Sequence, residues 1–93
     1  MDRIAVRLII RGRVQGVGYR WWARGVALRL DLDGWVRNRT DGSVELLAAG
    51  PSSLVEQLVG ACQRGPSSAK VDSIERFTVD DDGIEGFEER TTV

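Results

Sequence analysis

Apolar and polar positions alternate from Ile4 to Ile10, putting Ile4, Val6, Leu8 and Ile10 on one face of a strand and Ala5, Arg7 and Ile9 on the other. Ile9 leaves the second face partly apolar, which predicts a strand inside the sheet. The period then changes. Tyr19, Trp22, Ala23, Val26, Ala27 and Leu30 recur at helical spacing and form a stripe that faces the sheet. Trp21 falls off the stripe, where it covers the preceding loop or simply lies on the surface. Gly34 to Arg39 reads as a second strand and Val44 to Ala49 as a third, joined as a hairpin by the Asp41-Gly42 turn. Gly50-Pro51 breaks the chain, and Ser53-x-x-Glu56 predicts a capping box. It opens a second helix on which Leu54, Leu58 and Cys62 line up beside Val55 and Val59. After the loop Gly65-Pro66-Ser67-Ser68, Val71 to Val79 predicts a fourth strand with Val71, Phe77 and Val79 on one side and Ile74 on the other. The acidic turn Asp80-Asp81-Asp82-Gly83 leads to a short last segment, Gly86 to Val93.

Short connections and right-handed crossovers turn the order β-α-β-β-α-β into an α+β, ferredoxin-like sandwich: an antiparallel sheet with two helices on one face. With 93 residues the chain is expected to form one domain, 1–93, with a modest core. No basic leader with a long apolar core is present, and no run approaches the roughly 20 apolar residues of a membrane span. A cytoplasmic protein without membrane contact is expected. The single Cys62 rules out an internal disulfide and suits a reducing compartment. On the apolar stripe of the second helix it reads as core filler and not as a nucleophile. There is no histidine, which excludes a histidine base, a Ser-His-Asp triad and histidine metal sites. The three aspartates of the acidic turn lack the glycine and glutamate of a calcium loop and read as a solvated turn.

Charge is uneven along the chain. Residues 1–39 hold nine arginines against three aspartates, while residues 40–93 hold four basic and eleven acidic groups. Such asymmetry fits a nucleic-acid surface, but attraction of a small anion explains it equally well. The arginines surround the stretch Gly12-Arg13-Val14-Gln15-Gly16-Val17-Gly18-Tyr19-Arg20. Its glycines permit positive φ and a close approach of the main chain to a ligand. A helix starting near Tyr19 would present unpaired N–H groups and the positive end of its dipole, with the planar fork of Arg20 alongside. A plain strand-to-helix turn with a surface arginine accounts for the same residues. The nucleotide fingerprints do not fit, because no Lys-Ser or Lys-Thr follows the glycines and Trp21 stands where a dinucleotide fold wants a small residue.

This stretch, followed by Gly34-Trp35-Val36-Arg37-Asn38 and the turn Asp41-Gly42-Ser43-Val44-Glu45, closely resembles the acylphosphatase family over essentially the whole chain. Tyr19 stands where phenylalanine is also common in that family. The resemblance implies hydrolysis of acyl phosphates to a carboxylate and inorganic phosphate, with no metal, no cofactor and no phosphoenzyme. It implies that Arg20 binds the phosphoryl group and Asn38 orients the attacking water. The expected phosphate loop comprises Gln15, Gly16, Val17, Gly18, Tyr19 and Arg20. Expected partners are a small acyl phosphate and, as product and inhibitor, inorganic phosphate, with the chain a monomer. Arg13, Arg37 and Arg39 are read as surface charges that add to the local field. Two rival readings share the fold: a nucleic-acid-binding module using the arginines and tryptophans, and an accessory domain that binds a phosphorylated metabolite such as carbamoyl phosphate without turning it over.

Overall fold

A strand with apolar residues on both faces needs cover on both faces and neighbours at both edges, and β1 (Ile4–Arg13) has them. The computed structural model describes residues 2–93. It contains α1 (Tyr19–Arg29), β2 (Asp33–Asn38), β3 (Val44–Gly50), α2 (Ser52–Arg64), β4 (Lys70–Val79) and β5 (Phe87–Glu89). The sheet order is β4-β1-β3-β2-β5, with β1 antiparallel to β3 and β4, and β2 antiparallel to β3. Val6, Leu8 and Ile10 of β1 share one apolar core with Tyr19, Ala23 and Ala27 of α1 and Val55, Leu58 and Cys62 of α2. Both helices therefore lie on one face of the sheet, as the periodicity predicts. Among the described residues, no helix is long and apolar enough to cross a membrane.

The last segment departs from the expected antiparallel sheet. Phe87, Glu88 and Glu89 pair with Gly34, Trp35 and Val36 as a short parallel strand, so the sheet has five strands and is mixed. Burial of Phe87 in the core supplies the reason for this docking.

β4 corrects a second expectation. Arg11 stands opposite Ser73 but Gly12 stands opposite Val71, so the ladder skips Asp72 in a β-bulge. The bulge brings Val71 to the face of Ile74, and both pack on the core. Gly12 has φ 133°, and a Cβ there would lie 2.2 Å from the Lys70 carbonyl oxygen. It thus belongs to the strand and serves the bulge, while the loop proper begins later.

The capping box does not form either. α2 starts two residues earlier than expected, with Pro51 as its N-cap in place of Ser53 and no side-chain cap. The Pro51 carbonyl accepts the N–H groups of Leu54 and Val55, both at 3.0 Å. Glu56 is instead drawn to the sheet, where Arg76 grips both its oxygens at 2.7 and 2.6 Å.

On the sheet face away from the helices, Glu45 is only 3% exposed and lies between Arg7 and Arg37, at 2.5 and 2.7 Å. Burial pushes its pKa up, but the hydrogen bonds from Arg7 and Arg37 outweigh that and hold it below the ordinary value. A carboxyl whose pKa is depressed by folding stabilises the fold fully above its unfolded value and loses that stabilisation as the pH falls through the folded value. Glu45→Gln should therefore cost about 2 kcal/mol at pH 7, less than a fully buried pair because the arginines are partly exposed. The loss should shrink as the pH drops below about 4.3. Urea unfolding of both chains across pH 3 to 7 checks this, and a pH-independent difference would contradict it.

Candidate functional site

The chain leaves β1 through Val14, which is buried, and turns through Gly16 and Gly18 at φ 73° and 77°. Val17 between them keeps negative φ. Alternation of hand in this way turns successive N–H groups into one concavity, the geometry of an anion nest. Among the described residues, no N–H from Gly16 through Trp21 donates to a protein acceptor. A Cβ on Gly16 or Gly18 would meet nothing within 4 Å, so the space above the loop is open. Gly18 is the N-cap of α1 and offers no side-chain cap, and the first turn has no acidic residue. The positive end of the helix is left for something else to neutralise.

The loop is fixed from three sides. Gln15 donates through Nε2 to the carbonyls of Arg39 and Ser43, both at 2.8 Å, tying it to the β2–β3 hairpin. The Val17 carbonyl accepts the Ser68 hydroxyl at 3.0 Å. Tyr19 is sunk into the core at 1% exposure and donates its hydroxyl to the Cys62 carbonyl on α2 at 2.7 Å. Burial pushes the Tyr19 phenol far above its ordinary pKa, so the proton that this bond needs is retained at neutral pH. Burial also pushes the Cys62 thiol up to about 11, which keeps it an inert core group.

A cavity of about 140 Å³ opens over this loop, and its lining joins Gly16, Gly18, Tyr19 and Arg20 to Asn38 at the end of β2. Arg20 and Asn38 are the two side chains to which the family resemblance assigns the chemistry. Among the described residues, no protein group bonds to the Arg20 guanidinium or the Asn38 side chain, whereas Arg3, Arg7, Arg11, Arg37 and Arg76 are all ion-paired. Asn38 is held through its backbone: it pairs with Val44 on β3, and its carbonyl accepts the Val93 N–H at 3.2 Å. Gln15 and Val17 are not among the cavity's lining residues. The Gln15 side chain is engaged with the hairpin and Val17 packs on the core, so each can reach a ligand only through its backbone.

Three lining residues stand outside the expected phosphate loop and Asn38: Val14, Trp21 and Glu89. Glu89 follows Phe87 on the helix-facing side of β5, beside Val36, and only the parallel pairing of β5 reveals it. Three residues of Phe-Glu-Glu offer no periodicity from which to infer a strand. A larger depression of about 320 Å³ lies among Arg7, Arg37, Arg39 and Asp41 on the other sheet face. Its guanidiniums already neutralise Glu45 and Asp41, which argues for the smaller cavity as the site. Part of the charge asymmetry along the chain is absorbed in the same way, since Arg3, Arg7 and Arg11 pair with Asp81, Glu45, Asp41 and Glu75 from the acidic part. Arg3 on Asp81, with the Gly83 N–H on the same carboxylate, also accounts for part of the acidic turn.

Fold and cavity together define a small α+β sandwich with a candidate anion pocket at the start of its first helix. The family model for acylphosphatase matches residues 6–89. An acylphosphatase of Rhizorhabdus wittichii is 49% identical over 99% of this chain and 93% of its own length. One of Nitrobacter hamburgensis is 53% identical over 81% of this chain and 76% of its own. The crystal structure of the acylphosphatase from Bacillus subtilis superposes with a TM-score of 0.91 at 38% identity, covering 94% of this chain and 98% of that one. The chain belongs to the acylphosphatase family.

Replacing Gln15 by Leu keeps its bulk and removes both donors to the hairpin. Two partly buried carbonyls then lose a partner, so the variant should be about 1–2 kcal/mol less stable. Chemical denaturation of the two proteins measures it, and equal midpoints and slopes would show the tie to be dispensable.

Proposed function

We propose that this chain acts as one domain, residues 1–93, a cytoplasmic monomer that hydrolyses small acyl phosphates to a carboxylate and inorganic phosphate. The observation that carries this is the shared cavity: Arg20 from a helix start and Asn38 from a strand end, their side chains without protein partners among the described residues, meet over a loop of unpaired N–H groups. Family membership and the names of the relatives support the same reading.

Phosphoryl transfer to water spreads negative charge over three equatorial oxygens, and the protein's task is positioning and charge stabilisation. The N–H groups from Gly16 to Arg20 hold those oxygens, and the Arg20 fork adds two parallel bonds to them. Asn38 accepts from and donates to the water, aiming its lone pair at phosphorus on the side away from the acyl oxygen. A new P–O bond forms as the P–O(acyl) bond breaks, and the carboxylate leaves with the electron pair. The water's proton goes to a phosphate oxygen of the substrate or to solvent. A carboxylate is a good leaving group, so no strong general acid is needed, and a chain without histidine can run the step. Neither metal nor cofactor takes part in this scheme. The ion-paired arginines weigh against a nucleic-acid surface, because their charge is already spent within the sheet.

Arg20→Lys cannot reproduce the planar fork, and it should lower kcat on benzoyl phosphate by about 10³ or more while weakening inhibition by inorganic phosphate. Asn38→Ala should lower kcat by about 10² and leave phosphate inhibition close to that of the parent. An Asn38→Ala enzyme with parental kcat would remove the water-orienting role. Turnover of the parent should be unchanged in the presence of a chelator, and its loss there would contradict the metal-free step.

A further inference from the structure

The phosphoryl end of the cavity is accounted for by the loop, Arg20 and Asn38. What remains of the lining is Val14, Trp21 and Glu89. Val14 is a core residue at 1% exposure and offers little surface. Trp21 is 73% exposed, more than any other large apolar residue among those described, and contributes nothing to the core. Glu89 is exposed, and no cation among the described residues pairs with it, although Arg90 beside it bonds Glu88. An unpaired carboxylate in the wall of a pocket for an anion works against binding unless it discriminates among ligands.

We infer that Trp21 and Glu89 form the acyl side of the site, favouring flat apolar acyl groups and rejecting those that end in a carboxylate. The inference rests on the hydrolase reading above. With the phosphoryl group seated at the start of α1, the acyl part of a substrate has to leave the cavity along its remaining walls. The indole gives one wall a broad apolar face on which an aromatic acyl group can stack. Glu89 gives another wall a negative charge that repels a second anionic group while leaving a neutral acyl chain unaffected. Phosphate recognition alone would be indifferent to the acyl group, and these two residues supply a preference.

The test compares kcat/KM for acetyl, benzoyl and succinyl phosphate at low ionic strength. Trp21→Ala should lower the benzoyl-to-acetyl ratio about threefold to tenfold, and Trp21→Phe should restore most of it. Glu89→Gln should raise the succinyl-to-acetyl ratio about threefold to tenfold, and the gain should shrink as salt approaches about 1 M. A ratio within about twofold of the parent in either variant overturns the role of that residue, as does an equal loss on all three substrates. Failure of the parent to hydrolyse acetyl or benzoyl phosphate would instead refute the hydrolase reading itself.

Discussion

Tyr19 has its backbone at the rim of the cavity and its ring in the core, and the geometry of the candidate site follows from that division. The hydroxyl reaches across to the Cys62 carbonyl on α2, so the two helices are pinned to each other at the point where α1 begins. The ring also stands against Trp22 at a centroid distance of 5.4 Å. A helix start is normally quietened by a capping side chain, and this one is left bare. Tyr19 anchors it instead, through its buried ring and the bond of its phenol to α2. Exposed N–H groups on one side are thus compatible with a fixed backbone, because the other side of the same residue is packed and bonded.

Most of the sandwich is visible in the periodicities, since burial on one face of each element is what periodicity reports. The stripe of α1, the hairpin at Asp41-Gly42 and the interior position of β1 all follow from it. Three features do not. The bulge opposite Gly12 inverts the side of Val71, and only the pairing of β1 with β4 reveals an extra residue. Pro51 starts α2 ahead of the serine that looked like its cap. β5 is fixed by one phenylalanine and by backbone bonds to β2, neither of which leaves a repeating signal. Arg20 and Asn38 were legible as candidates because they stand inside recognisable motifs. Glu89 was not, as it reaches the cavity only through the parallel pairing.

The uneven charge of the chain is a matter of strand pairing. Antiparallel neighbours bring the arginine-rich first strands against acidic residues from later ones, and the sum cancels locally. Arg37 also stacks on Trp35 at 4.5 Å, and Arg90 covers the same ring at 5.1 Å. The far face of the sheet is therefore closed by arginines that serve as apolar cover as much as charge. The arginine at the helix start is left outside these pairings.

β2 has a further dependence on β5. Until Phe87 and the residues after it arrive, the outer edge of β2 carries unpaired N–H and C=O groups, with Trp35 beside them. Such an edge is a template for a strand from another molecule. Gly34 and Phe87 lie more than half the chain apart, so this closure is a long-range contact that no local element supplies. The short fifth strand is thus what keeps the strand carrying Asn38 from being an open edge.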